Sequence, residues 1–135
     1  MTYPLNTIRE IDLDEAAALK SAGIRTTEKL LEAAKSPKGR KLLASKVRVD
    51  EKTLLRWANI ADKLRIKGMG RDYAGLLREV GVHTVKELRY RNPGKLAQSM
   101  AEANRKRKLV RFLPSEKLIT RWIEHARKLP QKITY

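Results

Sequence analysis

Residues 66–70 read Ile-Lys-Gly-Met-Gly, and this stretch decides how the rest of the sequence is interpreted. Two glycines flank one apolar residue, and Ala74, Leu77, Gly81 and Thr84 follow. Glycine lets the backbone turn tightly and approach a ligand closely, and the N-terminus of a following helix directs N–H groups towards an anion. The stretch therefore predicts a turn between two helices that can hold a phosphate.

The composition favours helices throughout the chain. The 135 residues are 41% hydrophobic, which is enough for one compact domain or for two small ones that share a core. Only seven residues are aromatic, whereas Leu, Ala, Lys, Arg and Glu, all good helix formers, are abundant. No segment has the pattern of a strand, so we predict an all-α fold.

The charge of the chain indicates a polyanionic partner. The sequence holds 31 Lys and Arg against 15 Asp and Glu, a net charge of +16, and such an excess costs self-repulsion in a compact protein. Residues 1–65 hold 14 basic and 9 acidic side chains, whereas residues 66–135 hold 17 and 6. We therefore expect nucleic acid to dock on the second half, and we expect duplex DNA before other forms of nucleic acid.

Several classes of site and compartment are excluded by what the sequence lacks. It has no cysteine, which excludes disulfides, thiolate zinc sites and cysteine nucleophiles. No apolar run approaches the ~18 residues of a membrane span, and the first residues lack the pattern of a signal peptide. No helix has the Trp/Phe/Leu face that insertion into a membrane surface needs. We therefore expect the protein in the cytoplasm or the nucleoid.

Catalysis is not predicted. His83 and His125 are the only histidines, and neither has a Ser, Asp or Glu at a spacing typical of an active site. We interpret both as surface or packing residues. The pair Gly68 and Gly70 lacks the Lys-Ser/Thr of a nucleotide-binding loop. We expect no catalytic residue, no metal and no cofactor.

The order of residues at the start of the chain returns from position 66 onwards. One Gly, one Thr and four apolar residues of the first half recur 58 residues later. These pairs are Ala16 with Ala74, Leu19 with Leu77, Gly23 with Gly81, Ile24 with Val82, Thr26 with Thr84 and Leu30 with Leu88. The two halves, residues 1–65 and 66–135, are therefore predicted to be tandem repeats.

Later in each half the spacing of the repeat changes. Ser36-Pro37 matches Asn92-Pro93, 56 residues on, and Trp57 matches Trp122, 65 residues on. The second half thus carries nine extra residues, which contain a run of cations and are expected to face solvent. The two tryptophans recur among Leu and Ile at helical intervals, so we interpret them as core residues.

Helix ends can also be predicted from the sequence. Asp12 or Asp14, Thr26, Ser36 and Asp50 suit helix N-caps, and Thr84 with Glu87 has the pattern of a capping box. Gly23 is expected to end the first helix in a left-handed turn. The last residues, 130–135, are predicted to form an extended strap or a frayed end.

The sequence resembles a bacterial and archaeal family of tandem helix-hairpin-helix proteins that is catalogued as a domain of unknown function. Their wider superfamily includes the C-terminal domain of the RNA polymerase alpha subunit and modules of DNA repair enzymes. The residues that carry the resemblance are Arg65-Ile66-Lys67-Gly68, Gly70, Ala74, Leu77, Gly81-Val82, Thr84-Val85-Lys86-Glu87-Leu88, Arg91-Asn92-Pro93, Lys108-Leu109-Val110-Arg111 and the ending Leu129-Pro130 to Ile133-Thr134-Tyr135. The resemblance implies two helix-hairpin-helix pseudo-repeats packed as one compact helical unit.

The first half departs from the family at its own hairpin. Members of the family carry two glycines there, whereas this sequence has Glu10 and Asp12, followed by Asp14 and Glu15. Four carboxylates repel a phosphate. The nucleic-acid contact that the resemblance implies is therefore expected only at the hairpin of the second repeat.

Two groups of residues form the predicted nucleic-acid site. They are Lys67, Gly68, Met69, Gly70 and Arg71 at the turn, and Arg105, Lys106, Arg107, Lys108 and Arg111 in the extra residues. Four consecutive cations without a nearby carboxylate are costly unless an anion is close, and Lys117 and Arg121 could extend this patch. Contacts to backbone phosphates would be insensitive to base sequence. A weaker basic run lies at Lys35, Lys38, Arg40, Lys41, Lys46 and Arg48.

Both features also have an ordinary structural explanation. The glycines can serve helix packing alone, and a run of cations can simply be solvated. In the alternative hypothesis the protein is an interaction or scaffold module. The acidic first repeat then binds a protein partner or a second copy, and the basic half keeps the protein in solution.

Overall fold

Helices make up the regular structure of this protein, and their ends follow local signals in the sequence. The computed structural model describes residues 2–135, in which the only strand-like pairing is one isolated bridge between Pro4 and Thr26. The prediction of an all-α fold is confirmed. The elements are a 3₁₀ helix, Leu5–Thr7, and α1 Leu13–Ser21, α2 Thr27–Ala34, α3 Pro37–Val47, α4 Glu51–Lys63, α5 Gly70–Glu79, α6 Val85–Arg89, α7 Pro93–Arg107 and α8 Glu116–Lys128.

The predicted N-caps are confirmed. Thr26, Ser36 and Asp50 each accept a hydrogen bond from the backbone N–H three residues on. Asp12, one of two alternatives for α1, caps it in a full capping box with Glu15. Such caps satisfy N–H groups that have no partner inside the helix, which is why these residue types predict a helix start.

At α6 the cap differs slightly from the predicted box. The Thr84 hydroxyl accepts from the Glu87 N–H at 3.0 Å, as expected. The Glu87 carboxylate, however, accepts from the Thr84 hydroxyl at 3.1 Å instead of from the backbone N–H. The helix start is still stabilised, but one backbone donor of the box is not engaged by Glu87.

The chain divides into two compact units. The first holds the chain up to Arg65 together with Gln131–Tyr135, and the second holds Ile66–Pro130. The last five residues thus lie with the first unit, whereas the sequence had suggested a second repeat running to residue 135. The reason is a set of contacts that the tail makes there.

The tail is an extended strap on the first unit. Ile133 is buried, and the Thr134 N–H donates to the Lys35 carbonyl at 2.8 Å. The Arg40 guanidinium donates to the Thr134 carbonyl at 2.8 Å and to the Ala34 carbonyl at 2.9 Å. Arg40 is only 5% exposed, so this member of the weaker basic run is a structural residue and not part of a docking surface.

The two units pack their helices in a similar way, except that α3 packs on α2 whereas α7 has no comparable packing on α6. In the first unit α2 packs on α4, α3 packs on both, and α1 packs on α3. In the second unit α6 packs on α8, α7 packs on α8, and α5 packs on α7. Trp57 on α4 and Trp122 on α8 are 1% and 0% exposed, so the prediction that both are core residues is confirmed.

The nine extra residues of the second half are divided between a helix and a loop. Helix α7 has 15 residues where α3 has 11, which adds about one turn. The connection to the next helix has eight residues, 108–115, where the first unit has three, 48–50. Arg48 and Lys108, which end the two helices, are both left-handed, with φ of 56° and 50°. The loop 108–115 is therefore an addition to a shared scaffold.

Candidate nucleic-acid interface

The turn at residues 67–71, here called the second hairpin, is built around a buried methionine. Gly68 and Gly70 have φ of 81° and 64°, a left-handed conformation that other residues rarely adopt. Met69 between them is 0% exposed. Lys67 and Arg71 on either side are exposed. The side chain of Met69, a residue included in the predicted site, is thus part of the core.

Helix α5, which follows this hairpin, begins without a side-chain cap. Among residues 2–135 it is alone in this, since the other seven α-helices each have one. Gly70 occupies the place that Asp12 holds in the first repeat, and it has no side chain to accept a hydrogen bond. The start of α5 therefore has no side-chain acceptor of the kind that caps the other helices.

Residues of helix α8 contact the second hairpin on the side of the core. A Cβ on Gly68 would lie 3.5 Å from Leu118 and 3.6 Å from Nε1 of Trp122. The Lys67 N–H donates to Nδ1 of His125 at 3.1 Å. His125, interpreted from the sequence as a surface or packing residue, is thus half-buried and positions the hairpin. Because His125 accepts the Lys67 N–H, this backbone donor is already engaged. The group of Lys67 that remains open to an anion is its side-chain ammonium.

A pair of aromatic residues connects the hairpin to the loop 108–115. The Tyr73 ring packs on the Trp122 ring with centroids 5.2 Å apart and planes tilted by 53°. The Tyr73 hydroxyl donates to the Phe112 carbonyl at 3.1 Å. Since Tyr73 lies in the first turn of α5, this bond ties Phe112 and the neighbouring Arg111 to the hairpin end of that helix. The sequence offered no signal for this long-range contact.

The predicted cations in the extra residues are not brought together with the hairpin as one patch. Arg105, Lys106 and Arg107 form the last turn of α7, where cations are favoured by the helix dipole. The Arg107 guanidinium lies 3.6 Å from the carboxylate of Glu79, the last residue of α5. Ten residues of α5 span about 15 Å, so these cations lie near the end of α5 that is remote from the hairpin.

The expectation that no carboxylate lies near this run is wrong. Besides Glu79, the carboxylate of Glu102 lines the same open groove of about 450 Å³ between α5 and α7, together with Lys106 and Arg107. Charges of both signs face this groove. It therefore attracts a polyanion less than the exposed surface around Lys67, which makes no ion pair within residues 2–135.

The charges around the second hairpin differ from those around its counterpart, residues 9–13, here called the first hairpin. There Glu10 accepts two hydrogen bonds from Nε of Arg56, at 2.8 and 3.0 Å. Gly68 replaces this carboxylate, and Arg121, which replaces Arg56, is exposed and makes no ion pair in the described part of the chain. A carboxylate next to the second hairpin, that of Asp72, lies 3.8 Å from Arg71, and both side chains are half exposed.

Two further properties bear on the class of protein. Residues 2–135 contain no group of three or more His, Cys, Asp or Glu side chains arranged to hold a metal ion. No helix among the same residues has the length and apolar character needed to cross a membrane.

Comparison with known proteins gives a family for this architecture. The model of the Domain of unknown function (DUF4332) matches residues 9–129. The chain belongs to that family. The DUF4332 match includes both hairpins and all eight α-helices, and it stops just before the strap. No curated protein and no solved structure matches the chain.

Proposed function

We propose that this protein binds nucleic acid, duplex DNA in the first place, through the second hairpin and without catalysing a reaction. The observation that carries the proposal is the uncapped start of α5 beside two left-handed glycines, with exposed Lys67 and Arg71 on either side. We infer that the protein acts in the cytoplasm as a nucleoid-associated factor.

Elementary electrostatics favours a phosphate at this position. The N–H groups at an uncapped helix start and the positive end of the helix dipole attract an anion, and a glycine backbone lets it approach closely. Lys67 and Arg71 each add a full positive charge. Because backbone phosphates carry no base identity, the binding is independent of sequence.

The resemblance to helix-hairpin-helix proteins supports the same ligand. It rests on Gly68, Gly70 and Ala74, together with the repeat of the motif within one chain. Proteins of that superfamily bind nucleic acid through the corresponding turn. The first hairpin lacks the glycines, so the proposal assigns the contact to the second hairpin alone.

Other cations of the second unit strengthen the attraction. The unit holds 16 Lys and Arg against 6 Asp and Glu. Arg111, next to the Phe112 carbonyl that Tyr73 binds, extends the contact on the hairpin side. Arg105, Lys106, Arg107 and Lys108 contribute mainly a long-range field that speeds association.

The test is fluorescence anisotropy with a labelled duplex over a series of salt concentrations. If four to six phosphates are neutralised, log affinity falls against log salt with a slope of roughly −4 to −5. The double variant Lys67→Glu/Arg71→Glu should abolish most of the binding at about 50 mM salt and make the slope about 2 units shallower.

A charge-matched variant provides the control. Lys20 and Lys29 are exposed on the first unit, and Lys20→Glu/Lys29→Glu changes the net charge by the same amount. This variant should keep most of the affinity. The proposal fails if the wild-type protein does not bind at low salt, or if the two double variants lose affinity equally.

A second candidate function is binding of a protein partner through the first unit. It is favoured by Leu13, which is 90% exposed at the start of α1 between Asp12 and Asp14. An exposed apolar side chain between two carboxylates suits a protein partner that has an apolar pocket surrounded by basic residues. A pull-down from nuclease-treated lysate tests this, since partners bridged by nucleic acid are lost on nuclease treatment and a direct partner is lost on Leu13→Ala.

A further inference from the structure

Phe112 and Leu113 are exposed apolar side chains on the loop 108–115. They are 71% and 48% exposed. The first unit has only three residues, 48–50, at this place and no aromatic residue among them. This apolar pair therefore belongs to the part of the second repeat that was added to the shared scaffold.

The backbone of Phe112 is fixed, although its side chain is in solvent. Its carbonyl accepts the Tyr73 hydroxyl at 3.1 Å, and the Tyr73 ring packs on Trp122. Trp122 also lies under Gly68. The same aromatic pair therefore contacts the hairpin at Gly68 and joins the Phe112 backbone to Tyr73 in the first turn of α5.

The surroundings of Phe112 are cationic. The Arg111 guanidinium lies 5.5 Å from the centroid of the Phe112 ring, a cation–π contact. Lys108 and Lys117 on either side are exposed. An aromatic ring among cations is the arrangement with which proteins bind single-stranded nucleic acid, because bases stack on the ring while the cations contact phosphates.

We propose that Phe112 stacks on an unpaired nucleobase of a strand whose phosphate is held at the second hairpin, so that the protein prefers a junction of duplex and single strand. This inference rests on the proposed function and adds a preference for the form of the nucleic acid. Phe112 and the start of α5 are joined through Tyr73, so one strand can reach both. Leu113 packs beside the stacked base.

The experiment compares two labelled DNAs that share one duplex, one blunt-ended and one with a short single-stranded overhang carrying 2-aminopurine. The wild-type protein should bind the overhang DNA about tenfold more tightly than the blunt DNA, which is within the range for stacking of one base. Stacking should also quench the 2-aminopurine fluorescence. Phe112→Ala should bring the two affinities together and leave binding to the blunt duplex within about twofold of wild type.

Matched variants separate stacking from a general effect of an exposed aromatic residue. Tyr90 is 79% exposed in the same unit, and Tyr90→Ala should leave the preference unchanged. Phe112→Trp should retain it. Because Phe112 is mostly exposed, its variants should melt at the temperature of the wild type, as measured by circular dichroism.

The two proposals fail in different ways. Binding to neither DNA overturns the proposed function and the stacking with it. Equal binding to both DNAs, or a preference that survives Phe112→Ala, overturns the stacking alone. It is also overturned if Phe112→Ala converts a dimer to a monomer in sedimentation, or abolishes binding to phosphatidylserine vesicles, since the loop then serves another partner.

Discussion

The first and second hairpins have the same scaffold and opposite chemistry. Each has a buried apolar residue in the middle, Ile11 in one and Met69 in the other, and each leads into a helix that packs on the third helix of its unit. In the first, Asp12 caps α1, and Glu10 pairs with Arg56. In the second, glycines stand at both places and no cap is present.

The difference shows how a repeat can keep its fold and still divide its roles. The first hairpin satisfies its helix N-terminus and its neighbouring arginine within the protein. In the second, no side chain caps the helix N-terminus, and Arg121 makes no ion pair in the described part of the chain. An anion could provide what the carboxylates provide in the first hairpin.

Converting the second hairpin to the first is expected to have the largest effect. Gly68→Glu/Gly70→Asp should weaken binding to duplex DNA at low salt about 100-fold or more, because two carboxylates would face the phosphate. Anisotropy titrations measure this. The variant also strains two left-handed positions, so its thermal melting should be recorded.

Gly68→Ala/Gly70→Ala controls for that strain. It imposes the same backbone cost, on the order of 1–2 kcal/mol per residue, without adding charge. We expect a comparable loss of stability and a much smaller loss of affinity. If the acidic and alanine variants bind equally, charge at the hairpin does not govern binding.

Two glycines in equivalent scaffolds should respond to alanine with opposite signs. A Cβ on Gly39 would collide with the Ala33 carbonyl oxygen, so Gly39→Ala should destabilise the protein by about 1–3 kcal/mol. A Cβ on Gly75 meets nothing within 4 Å, and Ala17 stands at its place in the first repeat. Gly75→Ala should therefore stabilise by about 0.5–1 kcal/mol. Urea denaturation measures both, and equal signs would contradict the comparison.

Replacing either buried tryptophan by phenylalanine should lower the stability of the protein by a similar amount, but only the replacement of Trp122 should weaken DNA binding. Nε1 of Trp57 and of Trp122 lacks a hydrogen-bond partner among residues 2–135, so Trp→Phe removes buried volume but no hydrogen bond. The free energy of unfolding of each variant should be about 1–2 kcal/mol lower than that of the wild type. Trp122→Phe should also weaken DNA binding severalfold, because Trp122 lies under Gly68, whereas Trp57→Phe should not. Equal affinity of the two variants would show that the hairpin does not depend on this support.

Acid should weaken the first unit before the second. The N–H and hydroxyl of Thr53 hold the pKa of Asp50 below its ordinary value of 3.8, and Lys35 and Lys132 hold the pKa of Glu32 below 4.5. Folding thus favours the ionised forms, and their stabilisation is present above these values and lost as the pH falls through the lower folded pKa values. Ser115, which replaces Asp50 in the second unit, does not titrate in this range.

Fluorescence can separate the two units in this acid titration. Trp122→Phe leaves Trp57 as the probe of the first unit, and Trp57→Phe leaves Trp122 as the probe of the second. Below about pH 4 the melting temperature seen by Trp57 should fall more than that seen by Trp122. Parallel curves would mean that Asp50 and Glu32 do not distinguish the units.

Features that depend on neighbouring residues could be predicted from the sequence. Thr26, Ser36 and Asp50 cap helices because a short polar side chain reaches the N–H three residues on, whatever the rest of the fold does. Trp57 and Trp122 are buried because they lie on apolar faces of their helices.

Features that join distant parts of the chain could not be predicted. The bond from the Lys67 N–H to His125 spans 58 residues, and that from Tyr73 to the Phe112 carbonyl spans 39. The proximity of Arg107 to Glu79 likewise depends on how α7 packs on α5. None of these pairs has a local spacing that signals it. The sequence therefore predicted a second basic patch near the hairpin, whereas Arg107 lies at the other end of α5.

The helices, their caps, the repeat and the contrast between the two hairpins could be predicted from the sequence, because each follows from short-range sterics, hydrogen bonding and apolar periodicity. Which groups meet at the second hairpin depends on the tertiary structure. It places Trp122 beside Gly68 and His125 at the Lys67 N–H, joins Phe112 to Tyr73 in the first turn of α5, and leaves Arg107 near the other end of that helix. Packing between helices joins residues far apart in sequence, and the charges of those residues do not encode which helix faces they will share.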